Sequence, residues 1–212
     1  MVERKSGFPL VIAGPSGAGK TTLARVLVER EEGLRFSVSD TSRPIRGSER
    51  DGVDYHFLGE AAFRRRIEED AYAEWALVHG DYYGTPRAEI DGPTALGETV
   101  VLDIDVQGSE QIRARYPGAV GVFIVPPSVE VMEKRLRGRG TEEETRIRRR
   151  IEDARVEMRR KFEFDYIVIN DDLDAAIETI RAIVRAERWR SARLKDATGD
   201  SGRPERKQGD PS

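Results

Sequence analysis

Cysteine is absent from the 212 residues. That excludes disulfides, thiolate zinc sites and a cysteine nucleophile, and it fits a reducing compartment. Histidine is scarce: His56 and His79 are the only two, and both read as incidental rather than catalytic. No apolar run approaches the ~20 residues of a spanning helix, and the first ten residues lack the apolar core of a leader segment. The expected location is the cytoplasm. An excess of one charge is also missing. The net charge of −3 leaves no basic footprint for nucleic acid at whole-chain level. Internal repeats are absent as well.

What remains is 38% hydrophobic and 35% charged, the balance of a soluble globular protein with a heavily charged surface. The length suits one well-buried domain with room for excursions. Short apolar runs recur at Leu10 to Ala13, Thr99 to Leu102, Gly121 to Val125 and Tyr166 to Ile169. Each has the length and β-branched content of a buried parallel strand. Helical periods lie between them: Leu23, Val26 and Leu27; Ile147, Ile151, Ala154 and Met158; Ile177, Ile180, Ile183 and Val184. Strands alternating with helices predict an α/β fold, a parallel sheet flanked by helices.

Two segments depart from that alternation. Residues 37–92 are polar, with β-like pieces at Val53 to Leu58 and Trp75 to Val78 around a helical pattern holding Phe63 and Ile67. Residues 131–155 are helical and crowded with arginine. Both read as excursions from a core formed by about 8–36, 93–130 and 156–190. The domain is expected to span 1–190. From Ser191 the chain is Gly, Pro, Ser and charge without hydrophobic period, so residues 191–212 are expected to be disordered.

Between the first strand and the first helix stands GPSGAGKTT, residues 14–22. It satisfies G-x-x-x-x-G-K-[ST] in the strand–loop–helix context its mechanism needs. A glycine-rich turn is the alternative reading, but average residue usage produces the pattern in only roughly one chain in a hundred. Glycines let backbone N–H groups converge on phosphate oxygens, and the following helix adds the positive end of its dipole. The expected ATP cradle is Gly14, Pro15, Ser16, Gly17, Ala18, Gly19, Lys20, Thr21 and Thr22. Lys20 can bridge the β- and γ-phosphates, and the Thr21 hydroxyl can reach Mg²⁺.

A companion acid for Mg²⁺ is sought at a later strand end. Val100-Val101-Leu102-Asp103-Ile104-Asp105 offers two carboxylates there, where open parallel sheets bind ligands. Asp105 has two readings, site residue and helix cap; a cap does not explain Asp103. In the first excursion, Arg43 and Arg46 sit close together in a loop broken by Pro44 and Gly47. Such arginines can grip a phosphate in bidentate fashion. Tyr55 and Tyr83 can add hydroxyls. Glu74 stands in a half-buried strand pattern, where a solvated carboxylate is the plainer reading.

Taken together, GPSGAGKTT, SVSDTSR, DGVDYHF, AEWA, DYYGT, LDIDVQG, PPS, RLRGRGTEEE and IVINDD closely resemble the guanylate kinase family, in family order and at family spacing, over about residues 8–190. The resemblance implies an ATP:GMP phosphotransferase with a glycine-loop core, a GMP-binding insert (about 37–92) and a mobile lid (about 131–155), using Mg²⁺ with ATP. It implies that Ser39, Arg43, Arg46, Tyr55 and Tyr83 meet the GMP phosphate or its surroundings. Glu74, Thr85 and Asp105, with Ser39 nearby, would read guanine, and Asp103 is grouped with that acceptor site. Asn170 and Asp171 would sit by adenine. Lys20, Arg43, Arg139 and Arg150 would act on the transferring phosphate. The implied partners are ATP and GMP, with no nucleic acid and no membrane, in a monomer or small homo-oligomer.

The residues support this on their own chemistry. Guanine presents N1–H and a 2-amino group side by side, and one carboxylate accepts both. Adenine lacks both donors. In the lid, Thr141 and Glu144 form a T-x-x-E capping box; Glu142 can pair with Arg146 and Glu144 with Arg148. Arg150 follows a like charge, Arg146, and has no such explanation. Arg139 lies in the glycine-flanked stretch GRG.

One loop departs from the family pattern. Where that pattern is close to T-T-R-x-P-R-x-G-E, this chain has Thr41-Ser42-Arg43-Pro44-Ile45-Arg46-Gly47-Ser48-Glu49. Proline and glycine each move one residue toward the N-terminus, and the spacing of the arginines is kept. Two other readings are a non-enzymatic interaction module of similar fold, against which the intact Gly19-Lys20-Thr21 argues, and a kinase for sugar phosphates, whose pocket would not need Glu74, Tyr83 and Thr85 together.

Overall fold

The computed structural model describes residues 4–78, 80–137 and 144–195. In chain order its elements are β1 (Arg4–Lys5), β2 (Phe8–Ala13), α1 (Lys20–Arg30), β3 (Leu34–Phe36), β4 (Asp40–Thr41), β5 (His56–Phe57), α2 (Glu60–Glu68), β6 (Tyr72–Val78) and β7 (Asp81–Pro86). They continue with α3 (Ala88–Ala95), β8 (Thr99–Asp103), α4 (Val106–Arg115), β9 (Val120–Val125), α5 (Val129–Arg137), α6 (Glu144–Arg159), β10 (Tyr166–Ile169), α7 (Leu173–Arg188) and β11 (Leu194–Lys195). The expected α/β class is observed. His79, Arg139, Thr141, Glu142 and the tail 196–212 lie outside the described residues, as do the side chains of Glu144 and Arg146, on which the expected Glu142–Arg146 and Glu144–Arg148 pairs depend.

The main sheet runs β10-β9-β2-β8-β3, every pairing parallel. Strands buried on both faces need no polar alternation, which is why β2 reads as an unbroken apolar run. Its side chains still alternate. Leu10 and Ile12 face a core with Leu23 and Leu27 of α1 and Ile177, Ile180 and Val184 of α7. Val11 and Ala13 face the other core, with Ile90 of α3 and Ile112 of α4. Each large side chain fully buried there contributes about 1.5–3 kcal/mol. Pro9, which cannot donate to a ladder, lies before the β9 pairing starts at Leu10.

The second sheet, β5-β4-β7-β6, is mixed: β4 runs parallel to β5, and β7 is antiparallel to both β4 and β6. Phe63 of α2 closes it by stacking on Tyr72 at 4.5 Å and on Tyr82 at 5.3 Å. Because the main strands are parallel, Ala13, Asp103, Val125 and Ile169 all end at one edge. The site forms there, facing the second sheet. The helices α5 and α6 pack beside it through Met132, Leu136, Ile151 and Ala154. Among the described residues no helix is long and apolar enough to cross a membrane.

One expectation needs correction. Disorder was expected from Ser191, yet Ser191–Arg193 form a 3₁₀ turn and β11 pairs antiparallel with β1. Arg193 is buried, its guanidinium 4.0 Å from the Phe8 ring centroid. Its Nη2 donates to Glu187 at 3.0 Å and to the Gly118 carbonyl at 2.9 Å, and its own carbonyl accepts from the Ser6 N–H. A polar segment is ordered here by ion pairing and cation–π contact, which hydrophobic periodicity does not register.

Candidate active site

The glycine loop hands the chain from β2 to α1. Gly19 has φ +89°, and a Cβ there would stand 2.5 Å from the Asn170 amide nitrogen, so only glycine fits. The first turn of α1 carries no acidic residue and Gly19 offers no side-chain cap. That leaves the positive end of the helix suited to an anion. Lys20 Nζ curls back onto the Gly14 carbonyl at 2.7 Å and the Pro15 carbonyl at 3.3 Å.

Beside it, the Thr21 hydroxyl donates to Asp103 Oδ2 at 2.6 Å. The pairing of β2 with β8 creates this contact, since Ile12 lies opposite Asp103 in the register. Two oxygen ligands next to a phosphate loop fit Mg²⁺, a hard ion usually held by one or two carboxylates plus substrate phosphates. Among the described residues no group of three His, Asp or Glu makes an all-protein metal cage.

Gly14, Ser16, Lys20, Thr21, Ser39, Tyr55, Glu74, Tyr83, Asp103 and Asp105 all line one cavity of about 360 Å³. Glu74 on β6 lies opposite Thr85 on β7. It is buried, and the Thr85 hydroxyl donates to its Oε1 at 2.6 Å. The solvated reading of Glu74 is thereby removed. Burial pushes its carboxyl up to about 7; the Asp105 charge adds to the rise, and the Thr85 hydrogen bonds oppose it. Ser39 Oγ stands 3.4 Å from Thr85 Oγ1. Asp105 carries both of its readings at once, since it caps α4 through the Gly108 N–H at 2.7 Å and also lines the cavity.

The two insert arginines part company. Arg43 is buried, donating to Tyr83 Oη at 3.1 Å and to both oxygens of Glu49 at 2.6 Å, with its guanidinium 5.0 Å from the Tyr55 ring centroid. Glu49 raises the Arg43 pKa, and Arg43 holds the Glu49 carboxyl low. Arg46 anchors Glu49 through its backbone N–H, while its side chain is 65% exposed and reaches Asp81 at 3.4 Å.

From α6, Arg150 donates to Ser16 Oγ at 2.6 Å. Two turns on, Glu157 lines the same cavity; burial raises its carboxyl most, with the Lys20 charge and the Ser16 backbone opposing. Asn170, expected beside adenine, is buried behind the loop, where its amide donates to the Ala18 carbonyl at 2.7 Å. Asp171 and Thr22 are exposed. Sequence reasoning missed Glu49, Glu157 and Gly108. The capping signal at Asp105 was the one local cue to Gly108; Glu49 closes the arginine loop itself, and Glu157 comes to the cavity from a place remote from any motif.

The family profile described as guanylate kinase matches residues 6–187. A guanylate kinase of Symbiobacterium thermophilum is 44% identical over 193 residues, covering 91% of this chain and 92% of that protein. One of Caldanaerobacter subterraneus is 46% identical over 196 residues, covering 92% and 95%. The crystal structure of guanylate kinase from Anaplasma phagocytophilum superposes with a TM-score of 0.76 at 29% identity, covering 91% of this chain and 92% of the other. The chain belongs to the guanylate kinase family.

Proposed function

We propose that the cavity between the glycine loop and the second sheet carries out the family's known reaction: the γ-phosphoryl group of ATP passes to GMP, and in the same way to dGMP, giving ADP and GDP. The observation that carries this reading is the buried Glu74–Thr85 pair set across one cavity from Lys20. A carboxylate there accepts guanine N1–H and N2–H, and the Thr85 hydroxyl, turning from Glu74 with Ser39 beside it, donates on the O6 side. Against adenine the same carboxylate would be desolvated and unpaired, a discrimination of order 10⁴-fold.

The donor lies on the loop, with Lys20 turning from its carbonyls to the β- and γ-phosphates. Thr21 and Asp103 would hold Mg²⁺, which when bound neutralises charge on the phosphate oxygens and keeps them aligned. Arg43, Arg46, Tyr55 and Tyr83 hold the acceptor phosphate, and Asp105 borders guanine. Arg139 and Arg150 close over the transferring group, and Asn170 and Asp171 border the adenine side. Asn170 does so by bracing Ala18. The acceptor phosphate is already anionic, so no strong general base is needed. Positioning and charge neutralisation carry the rate. The working compartment on this reading is the cytoplasm.

ADP release with GMP, AMP and a sugar phosphate as alternative acceptors tests the reading, with Lys20→Met as the loop control. GMP should be strongly preferred, and Lys20→Met should lose transfer while keeping its circular dichroism. Preference for the sugar phosphate, or an active Lys20→Met, would refute it.

A further inference from the structure

The Glu74 carboxylate is wedged between β7 and α4. Its Oε1 takes the Thr85 hydroxyl, and its other oxygen lies against Gly108. A Cβ added to Gly108 would stand 2.7 Å from Glu74 Oε2, 3.2 Å from Glu74 Cδ and 3.4 Å from Asp105 Oδ1. The backbone does not ask for glycine, because Gly108 is not among the residues with positive φ and lies within α4. Helix propensity argues against glycine there. Room for the carboxylate is the remaining reason.

Nor can the strand step aside. Gln111, one turn along α4, donates to the Trp75 carbonyl at 2.9 Å and accepts the Trp75 N–H at 3.2 Å. Its amide completes the edge of β6 as another strand would, and it fixes the separation of β6 from α4. With the backbone beside Glu74 tied, an added methyl at Gly108 is relieved by the flexible end of the Glu74 side chain.

We infer that Gly108 is a specificity-determining position: it leaves the space in which the Glu74 carboxylate faces guanine N1–H and N2–H together. This rests on the proposed reading that Glu74 recognises guanine. Gly108 touches no reacting atom and acts through Glu74.

The test compares GMP with IMP, which lacks the 2-amino group, at saturating ATP, in the parent, Gly108→Ala, Glu74→Gln and the double variant. Gly108→Ala should lower the GMP-to-IMP ratio of kcat/KM by about tenfold or more, mainly through KM for GMP, as expected when a bidentate acceptor is displaced. KM for ATP should stay within about twofold, and Tm should hold or rise, since alanine favours the helix. In the Glu74→Gln background the further change should be under about twofold, the mark of two residues acting as one unit. A retained ratio in Gly108→Ala beside a collapsed one in Glu74→Gln overturns the inference while leaving the reading of Glu74 intact. A retained ratio in Glu74→Gln overturns both. Failure of Gly108→Ala to fold also overturns the inference, which places the whole displacement on the carboxylate.

Discussion

Arg43 and Glu49 meet fork to fork, with both N–H···O distances at 2.6 Å. Contacts to Tyr83 and the Pro44 carbonyl bring the engaged donors of Arg43 to four of the five a guanidinium has. Arg43 is therefore pre-oriented but nearly saturated. Arg46, on an exposed side chain with a long contact to Asp81, is the cation with reach to spare. The displaced Pro44 and Gly47 leave this division of labour in place. Gly47 takes φ +55°, supplying the turn that lets Glu49 fold back onto both arginines.

If Arg46 completes the grip on the acceptor phosphate, Arg46→Lys should lose the planar fork and cost ~1–3 kcal/mol, mostly in GMP affinity. Steady-state rates at varied GMP and saturating ATP measure it. A silent substitution would leave Arg46 as a solvated loop residue.

The buried Arg193 joins the C-terminal turn to Glu187, Gly118 and Phe8. Arg193→Ala strips a partner from the buried Glu187 and should cost about 3 kcal/mol, or ~6–12 °C in Tm for a domain of this size. Removing residues 191–212 should do the same, whereas removing 196–212 should leave Tm unchanged. Equal melting of all three with the parent would mean the clasp contributes nothing.

What was legible in the sequence follows from what is local. β2, β8 and β9 stand out because strands covered on both faces must be apolar throughout; β10 stands out by its β-branched run although Ile167 and Ile169 are exposed at the sheet edge. β3 is only Leu34–Phe36, with Arg35 exposed at the sheet edge, and carries too little pattern to find. In β7, Tyr83-Gly84-Thr85 looks like a turn, yet Gly84 is there because a Cβ would meet the Glu74 carbonyl and the Trp75 side chain at 3.0 Å. The phosphate loop is contiguous and was readable from its spacing. Glu74 was placed in the site by family resemblance, and burial then settled its environment. Glu157 joins Ser16 in lining the cavity from more than a hundred residues away, and β1 meets β11 from opposite ends of the chain. Neither contact leaves a periodic trace.

On the proposed reading a buried carboxylate selects guanine here, and the ionisation of Glu74 is the property that reports on it. Protonated Glu74 cannot accept from both guanine donors. With its carboxyl raised to about 7 by burial, GMP recognition should weaken as pH falls through neutrality and level off above it. The measurement is kcat/KM for GMP against pH, at saturating ATP, in the parent and in Glu74→Gln. The phosphate of GMP titrates near pH ~6 and affects both proteins alike. The account predicts a second step near pH 7 in the parent alone, on top of a large loss of GMP turnover in Glu74→Gln. Superimposable profiles with equal GMP turnover would contradict it.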